Sequence, residues 1–430
     1  MSQSYKNYLK PSSILKFSSL NYLQSFLSFG ASILIARTIG KDLYGEYALG
    51  LIFLNILSTI NQFGSEKTLM RDLVHEDEPK SVLKAATYIN LMVSAVTLSS
   101  VIFWLLFQDI SGVGVVVVIL FSLSGTCLGL SPFAWFDYKG RIHQQALILA
   151  GEKLLYLLSV GAILLLASRS HLALSHVALY GAGAFLCCRL LSAFQEWRFV
   201  FSHFEGASER TAFYVKKLLT SNVWIWLAVI GNLLMSQANQ LMLRSQTSTA
   251  QLANYAIAFQ FIMLIRLFQG QLMRLMAPYI ADLTQIGSGQ IASIRKKMHK
   301  CYAMVTALTL ACVLPLFIAA PILINSIAGE QYVAAIPIFR ILLMWISLYG
   351  VGLINNQFLI GFNLNRSFLI VTVTFGIISL FLAAALIPNY QGRGAALSLL
   401  IAHCGSIVTQ VLVVEMFIYK MMKANARLST

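Results

Sequence analysis

The sequence has few charged residues, and acidic residues are the scarcest of them. Only 11% of its 430 residues are charged, with 16 acids against 31 Lys and Arg, whereas 58% are hydrophobic. The mean hydropathy is +0.75. Soluble domains are about half apolar and about a quarter charged, and a water-soluble fold could not cover this much apolar surface. The composition therefore excludes a soluble protein and predicts a chain that lies almost entirely in a membrane.

Catalytic and metal-binding patterns are missing as well. The six cysteines fall in or near apolar runs and form neither a CxxC motif nor a paired framework, so we interpret them as small buried residues. The sequence has no Ser-His-Asp arrangement, paired carboxylate site or nucleotide fingerprint. It predicts no catalytic residue, no metal site and no cofactor, and we expect a protein that is not an enzyme.

The formal net charge of +15 would raise the question of nucleic-acid binding in a soluble protein. That function requires a basic face on a soluble scaffold, whereas here the charges lie between apolar runs. We predict no nucleic-acid partner. We expect the cations to attract anionic membrane lipids and an anionic cargo.

Twelve apolar runs are long enough to cross a bilayer, since a hydrocarbon core of roughly 30 Å requires about 20 apolar residues. Their length and continuity favour helices over the short alternating strands of a membrane barrel. The fold prediction is an all-α membrane protein of about twelve transmembrane helices. We place the helices at 14–36, 43–64, 83–107, 113–135, 146–167, 172–197, 213–240, 249–273, 299–321, 333–360, 367–387 and 394–419.

The distribution of Lys and Arg predicts the orientation. With the N-terminus in the cytoplasm, 22 of the 31 basic residues, from Lys6 and Lys10 to Arg427, fall on the inside and 5 on the outside. Cytoplasmic loops carry the excess of basic residues in membrane proteins. We therefore expect a multi-pass protein with both termini in the cytoplasm.

An internal similarity suggests two halves. Leu43–Leu73 resembles Leu252–Leu283, and Tyr47 matches Tyr255 within it. Such repeats place a transported substrate at their interface, although chance similarity between apolar helices is the alternative. We predict two pseudo-symmetric six-helix bundles around a central cavity, at residues 1–200 and 201–430.

Charged side chains inside the helices are the natural candidates for substrate contacts, because they cost several kcal/mol unless they face a cavity or a partner. Arg266 is the strongest candidate, since it lies mid-helix with Gln269 as a polar neighbour. The embedded acids are Glu152 and Glu415 only. The further cationic candidates are Lys153, Arg189, Arg340 and Arg37.

Amide side chains are concentrated in the first, second, seventh and eighth predicted helices, and Asn21, Asn232 and Gln269 are the candidates to line the cavity. The alternative for any one of them is an interhelical hydrogen bond. Guanidinium groups clamp phosphates and amides bind sugar hydroxyls, so the predicted cargo is an anionic, sugar-bearing lipid. A pump for cationic drugs would instead require acids in the cavity.

Five short motifs along the chain are informative together: Ala36–Gly40, Tyr44–Ala48, Gly64 with Leu69–Arg71, Ser131–Phe136 and Ala328–Tyr332. In their order and spacing they resemble the Wzx-type polysaccharide flippases. That family belongs to the superfamily that also contains the multidrug and toxic compound extrusion transporters. The fourth-helix turn departs from the commoner family form, because Ala134 rather than Asp precedes Trp135.

The resemblance implies two six-helix bundles, a cationic central cavity and alternating access in a bacterial inner membrane. It implies a lipid-linked cargo, an undecaprenyl-pyrophosphate-linked oligosaccharide repeat unit of O antigen, capsule or a related glycan. A polysaccharide polymerase and chain-length proteins are then candidate partners. The alternatives are a multidrug or small-molecule extrusion transporter of the same superfamily and a membrane-embedded glycosyltransferase or polymerase.

Overall fold

The structure is a computed structural model that describes residues 11–170, 173–203, 209–285, 291–362 and 364–428. Lys6 and Lys10 lie outside the described residues. Within these ranges the chain forms helices joined by short turns and contains no strand. We number the α-helices α1 Pro11–Ile60, α2 Ser65–His75, α3 Pro79–Leu105, α4 Gly112–Gly129, α5 Phe133–Tyr138, α6 Ile142–Ser170, α7 Leu174–Ser202, α8 Thr211–Leu233, α9 Asn239–Gln246, α10 Thr249–Gln285, α11 Ile291–Leu323, α12 Ala335–Gly361 and α13 Asn365–Leu428.

Ten described segments are long and apolar enough to cross a membrane, and two of them contain a sharp break. Gly40 interrupts α1 with φ 78° and ψ 170°, and Gln391 interrupts α13 with φ 51° and ψ −128°. Pro388 precedes the second break and removes a helical hydrogen bond there. Since each break divides its segment into two apolar helices, the ten segments give the twelve predicted crossings. The breaks lie between the helices predicted at 14–36 and 43–64 and between those at 367–387 and 394–419, so the all-α, twelve-helix fold is confirmed.

The chain divides into two compact units, Met1–Val229 and Ile230–Thr430. The division falls inside α8, whereas the sequence places the domain boundary between residues 200 and 201. The beginning of α8 packs on the first unit: the indole Nε1 of Trp226 donates to the carbonyl of Ile60 at 2.9 Å. The hydroxyl of Thr68 donates to Oδ1 of Asn222 at 3.1 Å. By contact, residues 211–229 therefore belong with the first unit.

Small residues allow close helix packing inside each unit. In the first unit, a Cβ added at Gly125 of α4 would lie 2.6 Å from the backbone carbonyl oxygen of Leu54. In the second unit, a Cβ at Gly231 would lie 2.9 Å from the backbone carbonyl carbon of Thr372. Neither backbone could move aside without shifting a whole helix. Glycine at these crossings is how membrane helices approach closely, so both positions determine the packing of their unit.

The segments that carry the resemblance occupy turns and buried positions. Trp135 lies on the short helix α5 and is buried in a cluster with Phe136 and Val200. Gly329 has φ 102°, a backbone conformation that residues with a Cβ rarely adopt. It lies three residues before the fully buried Tyr332. These residues therefore shape the ends of helices.

Candidate functional site

The first unit contains a buried ion cluster that joins α6 to α7. Nη1 of Arg189 is 2.8 Å from Oε2 of Glu152, and Nη2 is 2.6 Å from Oε2 of Glu196. The exposed fractions of these side chains are 1% for Arg189, 2% for Glu152 and 0% for Glu196. Arg189 and Glu196 are seven residues apart on α7, which is about two turns, so both face the same neighbours. One guanidinium thus holds two carboxylates.

Neutral side chains donate further hydrogen bonds to the two carboxylates. The hydroxyl of Ser131 donates to Oε2 of Glu196 at 2.8 Å, and Nε2 of Gln145 donates to Oε1 at 3.4 Å. The hydroxyl of Ser192 donates to Oε2 of Glu152. Buried ions are tolerated only when their remaining lone pairs are satisfied in this way. The sequence predicted Glu152 as an embedded acid but missed Glu196.

Lys153 is the fourth ion of the cluster. Its Nζ is 2.7 Å from Oε1 of Glu152, and it lies over the ring of Phe185 at 4.4 Å from the centroid. Its side chain is 19% exposed, which is far more than the other three ions. The structure therefore brings Lys153 and Arg189 together, as two cations that share the carboxylate of Glu152.

The ring under Lys153 belongs to an aromatic cluster of the first unit. Phe185 packs edge-on against Tyr156 with 5.0 Å between centroids, and the hydroxyl groups of Tyr156 and Tyr47 are 2.5 Å apart. Tyr47 and Tyr156 are buried. Tyr47 is the residue that marks the predicted repeat, so the first copy of that motif is a structural element of the core.

In the second unit, Arg266 has a different environment. Its guanidinium lies over the ring of Tyr349 at 5.2 Å, and Nη1 is 3.9 Å from the sulfur of Met263. The residue is half-buried. Among the side chains that the structure describes, no carboxylate forms an ion pair with Arg266. A guanidinium inside an apolar segment is thus held by a π face and a thioether, both weak partners.

The ring of Tyr349 packs against two further aromatic side chains. It stacks on His403 at 5.6 Å with 29° between the planes, and it contacts Trp345 at 5.3 Å. Arg266, Tyr349 and His403 come from α10, α12 and α13, so three helices meet at this stack. The sequence indicated Arg266 and missed Tyr349, although Trp345 and Tyr349 are one helical turn apart.

Gln269 lies one turn after Arg266 but points to different partners. Its Nε2 donates to the carbonyl of Ile346 at 2.8 Å and to the hydroxyl of Thr309 at 3.2 Å. The residue is 2% exposed. Its amide nitrogen is therefore committed to bonds between helices, the alternative that the sequence had left open.

Arg340 has a structural explanation in α11. Its Nε donates to the carbonyl of Phe317 at 3.3 Å, and its guanidinium lies 5.3 Å from the Phe317 ring centroid. Pro321 follows Phe317 by four residues and has no N–H, so that carbonyl lacks its helical donor. Arg340 replaces it. Arg340 also precedes Tyr349 by nine residues on α12, about 14 Å along the helix axis, so it is not part of the Arg266 stack.

The three remaining candidates lie on α1 and α8. Arg37 is exposed, close to the break at Gly40 in α1. Asn21 is half-buried in the first half of α1, and Asn232 is half-buried near the end of α8. The structure thus links Lys153 and Arg189 through Glu152, and among the described contacts of the candidate arginines Arg266 has the weakest partners.

Three solved structures illustrate which known proteins have a similar fold. The lipid II flippase MurJ, in an inward closed conformation, has a TM-score of 0.68 at 12% identity, covering 95% of this chain and 90% of that chain. An inward-facing multidrug resistance MATE family transporter of the MOP superfamily has a TM-score of 0.66 at 13% identity, covering 93% and 96%. A MOP superfamily transporter from Pyrococcus furiosus has a TM-score of 0.65 at 12% identity, covering 95% and 96%. At such low identity these matches establish the fold, which agrees with the resemblance drawn from the sequence.

A search of curated protein sequences finds no significant match. The sequence profile of a family described as polysaccharide biosynthesis protein does match, over residues 13–284. This region is more than half of the chain. The protein therefore belongs to the polysaccharide biosynthesis protein family.

Proposed function

We propose that this protein is a flippase that moves undecaprenyl-pyrophosphate-linked oligosaccharide repeat units, for O antigen, capsule or a related glycan, across the bacterial inner membrane. Translocation proceeds by alternating access. The observation that carries the proposal is Arg266, a half-buried guanidinium without a carboxylate partner among the described side chains.

The environment of Arg266 suits a phosphate group. A cation inside an apolar segment is costly, and one π face compensates for only part of that cost. Pyrophosphate oxygens would supply the missing negative charge, and a guanidinium binds them through two parallel hydrogen bonds. The stack of Tyr349 on His403 holds the guanidinium in place before the cargo arrives.

The other cationic candidates have different roles in this proposal. Lys153 is a proposed phosphate contact of the first unit, because its ammonium is the most exposed member of the ion cluster. Arg189 and Arg340 are positioning residues, since their guanidinium groups are used by Glu152, Glu196 and the Phe317 carbonyl. Arg37, Asn21 and Asn232 are proposed contacts for the sugars.

The relatives support a lipid-linked cargo. The family is described as polysaccharide biosynthesis protein, and the matched MurJ is called a lipid II flippase. The MATE neighbours are called multidrug resistance transporters, which would favour a drug cargo. A cationic drug requires an available acid, whereas Glu152 and Glu196, the buried acids described in the first unit, are both paired with Arg189. We therefore prefer the anionic cargo.

In this function the protein resides in the inner membrane with both termini in the cytoplasm. It delivers repeat units to the outer face, where a polysaccharide polymerase and chain-length proteins would use them. Anionic membrane lipids are further partners of its cytoplasmic cations.

The test is the sidedness of the lipid-linked repeat unit in a deletion strain, measured with a membrane-impermeant sugar label. We expect intermediates trapped on the cytoplasmic face. Arg266→Gln should fail to restore labelling at the outer face, whereas the control Arg169→Gln, at the exposed end of α6, should restore it. Unchanged surface glycan and unchanged intermediates in the deletion strain would overturn the proposal.

A further inference from the structure

The ion cluster of the first unit is electrically balanced. It contains two cations, Lys153 and Arg189, and two carboxylates, Glu152 and Glu196. Inside an apolar segment the cost of burying a net charge is several kcal/mol, so a balance of zero is strongly favoured. Any event that removes one cation must be followed by a compensating change.

Lys153 is the cation that can leave. It contacts a single carboxylate oxygen at 2.7 Å and a ring face, and its side chain is 19% exposed. Arg189 is bound through two nitrogen atoms to two carboxylates and is 1% exposed. A lysine ammonium on a flexible stem is also easier to redirect than a guanidinium held at both ends.

We propose that the protein contains a proton-binding site at Glu152 that is filled when the anionic cargo binds. This inference rests on the proposed function. A phosphate group of the cargo draws Lys153 away from Glu152, and the remaining two carboxylates and one guanidinium then carry a net charge of −1. Glu152 takes up one proton from water and restores the balance, so cargo and proton bind together.

Glu152 is the carboxylate that accepts the proton, because the departure of Lys153 affects only its coordination. Glu152 then retains Arg189 and the hydroxyl of Ser192. Glu196 keeps all three of its donors, which are Arg189, Ser131 and Gln145. The proton therefore replaces the bond that Lys153 had made.

The other titratable groups that the structure describes around the cluster are thiols and phenols, which are weak acids. The thiol of Cys188 is close enough to Glu152 and Lys153 to interact with their charges, and the thiol of Cys127 is similarly close to Arg189. On the aromatic side lie the phenols of Tyr156 and Tyr47, bonded to each other. Thiols and phenols release protons only at alkaline pH, so Glu152 and Glu196 are the proton acceptors available.

The experiment measures proton uptake during binding. The full-length protein in lipid nanodiscs is titrated calorimetrically with a polyprenyl pyrophosphate that carries one N-acetylglucosamine, a probe whose two phosphates keep a fixed charge near neutral pH. Titrations in buffers of different ionisation enthalpy give the number of protons taken up. We expect about one proton per bound probe, and an affinity that falls by up to about tenfold for each unit of rising pH.

Two variants isolate the proposed site. Glu152→Gln should bind the probe more tightly than the wild type, without proton uptake, because Lys153 no longer has to leave a carboxylate. Lys153→Met should bind more weakly and also without uptake, because its cluster already carries the proton before binding. Arg266→Gln is the control: it should bind weakly yet retain the proton uptake.

The outcomes separate the two proposals. Wild-type binding without proton uptake, or unchanged uptake in Glu152→Gln, would overturn the proton site and leave the flippase proposal standing. No binding of the probe by the wild type would overturn both. If Glu152→Gln proves unfolded in a thermal unfolding assay, Lys153→Met decides alone, and proton uptake by that variant would contradict the inference.

Discussion

Arg189 in the first unit and Arg266 in the second are both embedded in apolar helices, yet their surroundings are opposite. Arg189 is closed in by two carboxylates and is 1% exposed. Arg266 is half-buried and rests on the ring of Tyr349. The comparison teaches that an embedded charge alone does not identify a binding site. The partners of that charge within the protein distinguish a structural arginine from one that can bind a ligand.

The largest expected effect comes from removing the guanidinium that holds two acids. Arg189→Met should destabilise the first unit by about 3–5 kcal/mol, because it leaves buried carboxylates without their counter-ion. Thermal unfolding of the purified variant and its level in the membrane measure this loss. If Arg189 is structural, the double variant Arg189→Met, Glu196→Gln should recover most of the stability, because Lys153 and Glu152 remain as a neutral pair. A stable Arg189→Met variant would contradict the structural role of Arg189 and its contrast with Arg266.

Arg266→Gln should show the opposite profile. We expect a stability change of about 1 kcal/mol or less, since only a cation–π contact is lost. Transport of the lipid-linked sugar should fall by more than about tenfold, which corresponds to about 1.4 kcal/mol of lost cargo binding. The sidedness assay and thermal unfolding of the same preparation check both values. Unfolding of this variant would place Arg266 in the same class as Arg189.

Arg340 provides a third, smaller case. Arg340→Met should cost about 1 kcal/mol of unfolding free energy, the typical contribution of one hydrogen bond, because the Phe317 carbonyl loses its donor. In a Pro321→Ala background the alanine N–H can take over that role, so the same substitution should cost less. A double-mutant cycle measures the difference. Equal costs in both backgrounds would contradict the role of Arg340 as the hydrogen-bond donor to the Phe317 carbonyl.

The smallest effect concerns the ring under Arg266. Tyr349→Phe keeps the aromatic face and should leave affinity for the lipid-linked probe unchanged. Tyr349→Leu removes the face and should weaken binding by about two- to fivefold, equivalent to about 0.5–1 kcal/mol. The same calorimetric titration compares the two. Equal affinities would mean that Tyr349 does not position the guanidinium.

The fold could be predicted because the length of each apolar run, and the Gly, Pro and charged residues that end it, can be identified from the local sequence alone. The breaks at Gly40 and Gln391 lie where the predicted helices were separated. The partners of the embedded cations could not be predicted in the same way. Glu196 finds Arg189 two turns earlier on its own helix, a spacing that would have been visible in the sequence. The contact of Arg266 with Tyr349 joins two helices and depends on their packing.

The pairing of charges in the first unit also bears on how the chain enters the membrane. Glu152 and Lys153 are neighbours on α6, and Arg189 and Glu196 lie on one face of α7. Each of these two ion pairs is therefore neutral within its own helix before the helices meet. An isolated buried charge resists insertion by roughly 2.5–3.5 kcal/mol, whereas a paired one carries its counter-ion along. Consecutive helices can thus enter the bilayer separately, and the link from Arg189 to Glu152 forms afterwards, when they assemble.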